Sequence, residues 1–269
     1  MSTTLHILFI GDIVGNVGMD AVAAFLPTFV KKYSIEFVIA NGENAMDGKS
    51  ISEAQLTRLF ECGVHVVTSG NHIWDRWHIQ KLLSEESRLL RPANYPRENA
   101  GRGFVTIDTG AKGRVGVLNL QGRTYMSTID CPFKTADWAV SKLREETRVI
   151  VVDMHAEATA EKICMGWHLD GKVSAVIGTH THIQTSDAKI LTLGTAFITD
   201  AGMTGPYDSV LGMRKDVALR RFIRQTPHKF EVATDDVHFS AVHLEVDYIT
   251  GKAIQIESIT FPEFQRHAG

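Results

Sequence analysis

The sequence predicts an α/β fold organised on a buried, largely parallel sheet, and three features carry that expectation. Short apolar, β-branched runs recur at residues 5–10, 36–40, 64–68, 148–154 and 173–177, and runs of that length and composition suit strands covered on both faces. Segments with apolar residues at helical spacing separate several of these runs, as crossover connections between parallel strands require. Most of the runs also end in a polar loop holding Asp, Glu, Asn or His, and the carboxyl ends of strands are where open α/β sheets place their chemistry.

In chain order, the strand at 5–10 enters a glycine-punctuated loop at 11–18. Met19, Val22, Ala23, Leu26, Phe29 and Val30 then recur at helical spacing to about Tyr33, with Pro27 an expected kink. Gly11, Gly15 and Gly18 do not fit the GxGxxG spacing of a dinucleotide fingerprint, and Asp12 would set a carboxylate against a pyrophosphate, so that reading is rejected. The strand at 36–40 runs into Asn41-Gly42-Glu43-Asn44, and a helix over 53–62 follows, capped by Ser52 and stopped by Gly63. The strand at 64–68 leads to Ser69-Gly70-Asn71-His72. Trp74 and Trp77 are expected to wall the site, and His78 to start a helix or lie on the surface.

A loop at 91–96 breaks the rhythm before a strand pair, 104–108 and 115–120, that turns at 110–113. Residues 121–136 read as an excursion beside the site or part of a small cap, and the chain as a single domain over 1–269. Within the excursion Arg123 is a candidate phosphate grip through its forked guanidinium, with a structural salt bridge as the alternative. A helix over 136–146 precedes the strand 148–154 and its terminal His155. Glu157, Glu161 and Lys162 are read as a solvated, charge-paired helix face or as support for the site. Past the strand 173–177, residues 188–193 and 196–199 suggest a hairpin, and 200–206 a flexible loop able to close one side of the pocket. A helix over 217–223 carries a basic face from Lys215, Arg220, Arg221 and Arg224, either solvated or suited to an acidic partner. A final hairpin joins 239–247 to 252–260 through Thr250-Gly251.

Composition narrows the function classes. With 269 residues, 44% of them hydrophobic, the chain can bury a large core. A net charge of −3 leaves no general basic footprint, which argues against extended nucleic-acid binding. No apolar run is long enough to span a bilayer, and no signal-peptide pattern opens the chain. Cys62, Cys131 and Cys164 form no framework and no CxxC, which suggests buried thiols in a reducing cytoplasm.

The strand-end residues form one inventory: Asp12, Glu43 with Asn44, Asn71 with His72, His155, and His180 with His182. His180 and His182, at i and i+2 just past a strand, can face opposite sides of one loop and offer nitrogens to two different ions; alternatively one ligates while the other packs. Carboxylate, amide and imidazole without thiolate fit a catalytic site better than a structural zinc site. Single residues here have plain readings, a turn asparagine or an N-cap aspartate. Five such strand ends together make coincidence the weaker explanation.

Gly11-Asp12, Gly42-Glu43-Asn44, Gly70-Asn71-His72, His155 and Gly178-Thr179-His180-Thr181-His182, in that order, resemble the motifs of the calcineurin-like metallophosphoesterase superfamily, and most closely its YmdB-like bacterial phosphodiesterase branch, over nearly the whole chain. The resemblance implies a four-layer αββα sandwich with two metal ions at the strand ends, iron favoured and manganese or zinc as alternatives. It departs from the superfamily pattern where Val14 stands in place of a histidine and Glu43 in place of a bridging aspartate, changes the YmdB-like branch shares. By resemblance, one ion would see Asp12, Glu43, Asn44 and His182. The other would see Glu43, Asn71, His155 and His180, with Glu43 bridging. His72 would be the general acid and a metal-bridging hydroxide the nucleophile.

The activity so implied is hydrolysis of cyclic-nucleotide phosphodiesters, 2′,3′-cyclic forms and by extension 3′,5′-cyclic ones. Alternatives are a broad phosphatase, an RNA-directed nuclease acting on short ends, or a regulatory protein that senses a nucleotide at its metal site. A homo-oligomer without nucleic-acid or membrane partners is expected, although no heptad or repeat marks an interface.

Overall fold

The first strand, β1 (Thr4–Ile10), sends Leu5, Ile7 and Phe9 into one apolar cluster and Leu8 and Ile10 into another. A strand apolar on both faces has to lie between two layers, and that requirement sets the architecture. The computed structural model describes residues 3–229 and 231–264. After β1 come β2 (Asp12–Ile13), α1 (Gly15–Tyr33), β3 (Phe37–Asn41), α2 (Glu53–Glu61), β4 (Val66–Thr68), a 3₁₀ turn over Asn71–Asp75 and α3 (Ile79–Glu85). The second part contains β5 (Phe104–Asp108), β6 (Arg114–Gln121), α4 (Pro132–Leu143), β7 (Val149–His155), α5 (Thr159–Leu169) and β8 (Ala175–Thr179). The chain then forms β9 (Lys189–Ile190), β10 (Ala196–Ile198), β11 (Met203–Pro206), α6 (Lys215–Arg224), β12 (Val237–Asp247) and β13 (Ala253–Phe261).

The strands make two sheets. One runs β2-β11-β12-β1-β3-β4 with β13 also paired to β12, and the other runs β5-β6-β7-β8-β10-β9. Three apolar clusters fill the spaces between layers. Leu8, Val22, Leu26, Leu56 and Leu83 pack α1, α2 and α3 on the first sheet. Phe9, Ile39, Val117, Val151, Ile177 and Leu244 join the two sheets face to face. Leu118, Val140, Val152, Met165 and Phe197 pack α4 and α5 on the second. Helix, sheet, sheet and helix are the four layers expected from the resemblance. Within the sheets β1, β3 and β4 are mutually parallel, as are β6, β7, β8 and β10. Their carboxyl ends therefore gather at shared edges.

Local chemistry explains most element boundaries. Ser52 accepts from the Gln55 N–H and Gln55 returns a bond to the Ser52 N–H, a reciprocal cap that starts α2. The closing strands β12 and β13 form the expected antiparallel hairpin. Helix α1 runs through Pro27 to Tyr33 without ending there.

Several expectations need correction. Residues 203–206 are a buried strand pairing with β2 and β12, not a free loop, because Met203 and Thr204 continue the ladder beside Asp12 and Ile13. Helix α4 begins at Pro132, inside the supposed excursion, since proline suits the first turn of a helix. Helix α3 was not separately legible. Cys164 is exposed on α5, while Cys62 and Cys131 are half-buried. Trp77 is 91% exposed, so Trp74 alone of that pair is in a position to wall anything. Among the described residues no helix is long and apolar enough to cross a membrane.

Of the two readings of Lys162, a solvated face or support for the site, the structure favours the second. The Lys162 side chain is fully buried and its Nζ lies 2.7 Å from Asp200 Oδ2. The same Asp200 carboxylate accepts from the Thr181 N–H and hydroxyl and from the Gly202 N–H, so this ion pair pins the loop that carries the two histidines. Replacing Lys162 by Met leaves an uncompensated buried carboxylate. Lys162→Met is expected to cost about 3–5 kcal/mol in denaturant unfolding, and adding Asp200→Asn is expected to restore part of it.

Candidate metal centre

Five strand ends bring the candidate residues together. Asp12 follows β1, Glu43 and Asn44 follow β3, Asn71 and His72 open the 3₁₀ turn after β4, His155 closes β7, and His180 and His182 lie in the loop after β8. The backbone permits close approach at Gly70, where a Cβ would sit 2.1 Å from the His155 ring. His180 and His182 themselves take left-handed backbone, with φ of 93° and 64°. Such conformations cost non-glycine residues of order 1–3 kcal/mol and persist only when over-determined by their surroundings. Here the His180 N–H is held by Asp12 Oδ2 at 3.2 Å and Thr181 by Asp200.

One half of the site converges on His155 Nε2. Glu43 Oε1 and Asn71 Oδ1 each lie 3.1 Å from it, and His180 Nδ1 lies 3.0 Å from it. A ring nitrogen carries at most one hydrogen, so it cannot serve three acceptors. His155 Nδ1 is meanwhile tied to the Thr179 hydroxyl at 2.9 Å, which fixes the ring. Four electron-pair donors facing a common point, on fully or largely buried groups, are what a cation requires. The other half contains Asp12, Asn44 and His182. Asp12 Oδ1 and Asn44 Oδ1 are buried without hydrogen-bond partners. His182 Nδ1 contacts the Leu211 carbonyl at 3.1 Å, leaving Nε2 directed toward Asp12 Oδ1 at 3.8 Å. Orphaned buried acceptors cost about 1–3 kcal/mol each unless something pairs with them, so the donor set of both halves fits metal ions.

The electrostatics agree. Burial alone would raise the Glu43 carboxyl, but the neighbouring His155 overcomes it and holds the carboxyl at about 2. Burial would likewise lower His155, but Glu43 and Asp12 raise it to about 9. The proton so favoured on His155 stands where a cation would, and a metal ion bound by these groups would displace it and leave the imidazole neutral. Burial, aided by the positive His155, presses His180 down to about 3, and burial lowers His182. Both rings are therefore neutral and available as ligands. Asp12 is pushed well above the usual carboxylate range by burial and by Asp200, Glu43 and Asp153. Excess negative charge is the condition of that half of the site.

His72 stands apart from this crowd. Its N–H donates to Glu43 Oε2 at 2.9 Å and its Nδ1 lies 2.9 Å from Asp75 Oδ2, while its side chain is one-third exposed. Lys49 Nζ is 2.9 Å from the same Asp75 oxygen. Burial would raise Asp75, but hydrogen bonds from His72 and Lys49 draw it below its ordinary range, so it stays ionised beside the imidazole.

Two residues in this arrangement were not singled out from the sequence. Asp75 follows His72 by three positions, the spacing at which a 3₁₀ turn places side chains one above the other; a carboxylate there was the available signal. Asp153 lies buried in β7, accepting from Asn41, Thr68 and Thr179, and Thr179 in turn contacts His155. A carboxylate inside an otherwise apolar strand was its mark. Arg123 is exposed on the connection from β6 to α4, with its N–H donated to Glu161. Gly122 anchors that connection to the His155 carbonyl at 2.9 Å. Glu157 Oε2 lies 3.1 Å from His180 Nε2.

Comparison with known proteins places this geometry in a family. The model of the YmdB-like protein family matches residues 8–259. The chain is 44% identical over 255 residues to a Bacillus subtilis (strain 168) protein named 2′,3′-cyclic-nucleotide 2′-phosphodiesterase, covering 95% of this chain and 96% of that one. Among solved structures, a novel phosphatase from Mycoplasma pneumoniae superposes with a TM-score of 0.91 at 32% identity, covering 97% of this chain and 94% of that one. A hypothetical protein from Thermus thermophilus superposes at 0.90 with 37% identity, covering 96% of this chain and 99% of that one. Matched along its length by that model and by these relatives, the chain belongs to the YmdB-like protein family and has the metallophosphoesterase-type fold.

Proposed function

We propose that this phosphoesterase is a dinuclear, metal-dependent phosphodiesterase that opens the cyclic phosphate of a 2′,3′-cyclic nucleotide. The observation that carries the reading is the convergence of Glu43, Asn71 and His180 on His155 Nε2 beside a histidine that Asp75 holds by one nitrogen only. The name of the Bacillus subtilis relative supports the substrate class. Asp12, Glu43, Asn44 and His182 would hold one ion, and Glu43, Asn71, His155 and His180 the other. Cations bound there supply positive charge to the phosphoryl oxygens and acidify water for attack.

The chain's own residues account for the rest. Water oxygen bonds to phosphorus and releases one proton to solvent, the P–O2′ bond breaks, and the departing O2′ takes up one proton to leave as a hydroxyl. His72 Nε2 has no partner among the described residues and is the group able to deliver that proton. Asp75 fixes the ring through Nδ1, the arrangement that orients a general acid. Glu43 Oε2 fixes the backbone of the same residue. Thr179, held by Asp153, keeps the His155 ring from turning, and Glu157 does the same for His180.

Two outcomes test this. His72→Ala is expected to keep its metal, read by elemental analysis, while hydrolysis of 2′,3′-cyclic AMP falls by roughly 10²–10⁴-fold; full activity in the variant would remove His72 as the acid. Gly70→Ala, whose Cβ would overlap the His155 ring, is expected to stay folded by circular dichroism yet lose metal. A variant with wild-type metal content would show that His155 is not a ligand.

A further inference from the structure

Beside the metal centre lies a cavity of about 610 Å³, lined by Tyr95, Arg97, Arg102, Phe104, Lys134 and Trp138 among others. Its charge is unbalanced. No ion pair among the described residues involves Arg97, Arg102 or Lys134, whereas Asp130 is the one carboxylate in the lining. A fourth cation, Arg91, is buried and committed to the carbonyls of Pro92 and Ala100. Elsewhere cations are commonly paired, as in Arg58 with Asp20 and Arg114 with Glu146. The cavity also has an aromatic shelf. The Arg97 guanidinium lies 5.1 Å from the Trp138 ring centre, and Phe104 meets that ring edge-on at 5.5 Å. Unpaired cations around an aromatic face select an anion that carries a planar ring.

The topology places this cavity on the reaction's side of the molecule. Gln121 at the end of β6 is the register partner of His155 at the end of β7, and Phe104 begins β5 on the far side of β6. Phe104 pairs with Leu118, which pairs with Val152, so it lies two strand spacings across the sheet and three residues along it from His155, about 14 Å. Tyr95 links the two regions. It lines the cavity, its hydroxyl donates to Gln121 Oε1 at 2.9 Å, and its ring lies 5.3 Å from that of Trp74, two residues beyond His72. Tyr95 thus stands between the cavity and the turn that carries His72.

We infer that this cavity holds the nucleotide that precedes a 2′,3′-cyclic phosphate, so that the preferred substrate is the end of an oligoribonucleotide and not a free cyclic mononucleotide. The inference rests on the phosphodiesterase reading above. The phosphate joining the last two nucleosides meets Arg102 and Lys134, and the penultimate base stacks on Trp138. One phosphate and one base are the proposed extent of the contact. That agrees with a chain whose overall charge of −3 gives no grip on extended nucleic acid.

Calorimetry on the metal-containing protein decides the matter, with the dinucleotide ApAp and with 3′-AMP as probes. Wild type is expected to bind ApAp at least about tenfold more tightly, the scale of one stacked base. Arg102→Glu/Lys134→Glu is expected to erase that advantage while hydrolysis of 2′,3′-cyclic AMP is unchanged, and Trp138→Ala to erase part of it. Equal affinities in wild type, or an advantage that survives the double charge reversal, would overturn the inference. So would 5′-AMP binding that depends on Arg102 and Lys134 without displacing 3′-AMP, because the cavity would then serve a free nucleotide. A wild type that fails to hydrolyse 2′,3′-cyclic AMP would remove the phosphodiesterase reading, and the ApAp comparison would still decide what the cavity binds.

Discussion

Buried acceptors without donors govern this molecule. Asp12, Glu43 and Asn44 each aim a buried oxygen with no hydrogen-bond partner toward one space, beside the neutral rings of His180 and His182. In such surroundings an unpaired polar atom loses hydration and gains nothing in return. The cluster is tolerable only around positive charge, which the raised proton affinity of His155 at its middle reflects. The rest of the fold can be understood as the apparatus that keeps these groups together despite their mutual repulsion.

That apparatus consists of parallel strands and buried carboxylates. Two sheets packed face to face bring the ends of β1, β3 and β4 opposite those of β7 and β8. Asp153 ties Asn41 and Thr68 of the first sheet to Thr179 of the second, so the sheets are joined by hydrogen bonds as well as by apolar contact. Asp200, neutralised by Lys162, does the same for the left-handed loop of His180 and His182. Neither carboxylate belongs to the proposed ligand set. Each acts by restricting where a ligand can go, which is how supporting groups sharpen a metal site.

The contrast between what was legible in the sequence and what was not follows from range. The strands at 5–10, 148–154 and 173–177 were apparent because their hydrophobicity is local, and the polar residues at their ends were apparent because they interrupt it. The pairing of Lys162 with Asp200 was not apparent because they are 38 residues apart and their partnership exists only in three dimensions. The strand at 203–206 escaped because glycine and proline in it suggest a loop, while its pairing with β2 supplies the ladder that its own residues do not advertise. Asp75 was within reach of local reasoning, three positions from His72, but required knowing that the intervening turn is 3₁₀. The charged cavity was invisible, since Arg97, Arg102, Lys134 and Trp138 come from separate segments.

Glu43 divides its two oxygens between two tasks. Oε1 faces His155, and Oε2 holds the backbone of His72. Any change in what Oε1 contacts therefore reaches His72 through a single rigid carboxylate. With the roles proposed above, occupancy of the centre and placement of His72 would become one linked equilibrium, reciprocal in the thermodynamic sense. Substitutions at positions 43 and 72 should then fail to add, because removing the first already releases the second. Under the proposed mechanism, the proton donor would be armed in step with the filling of the centre.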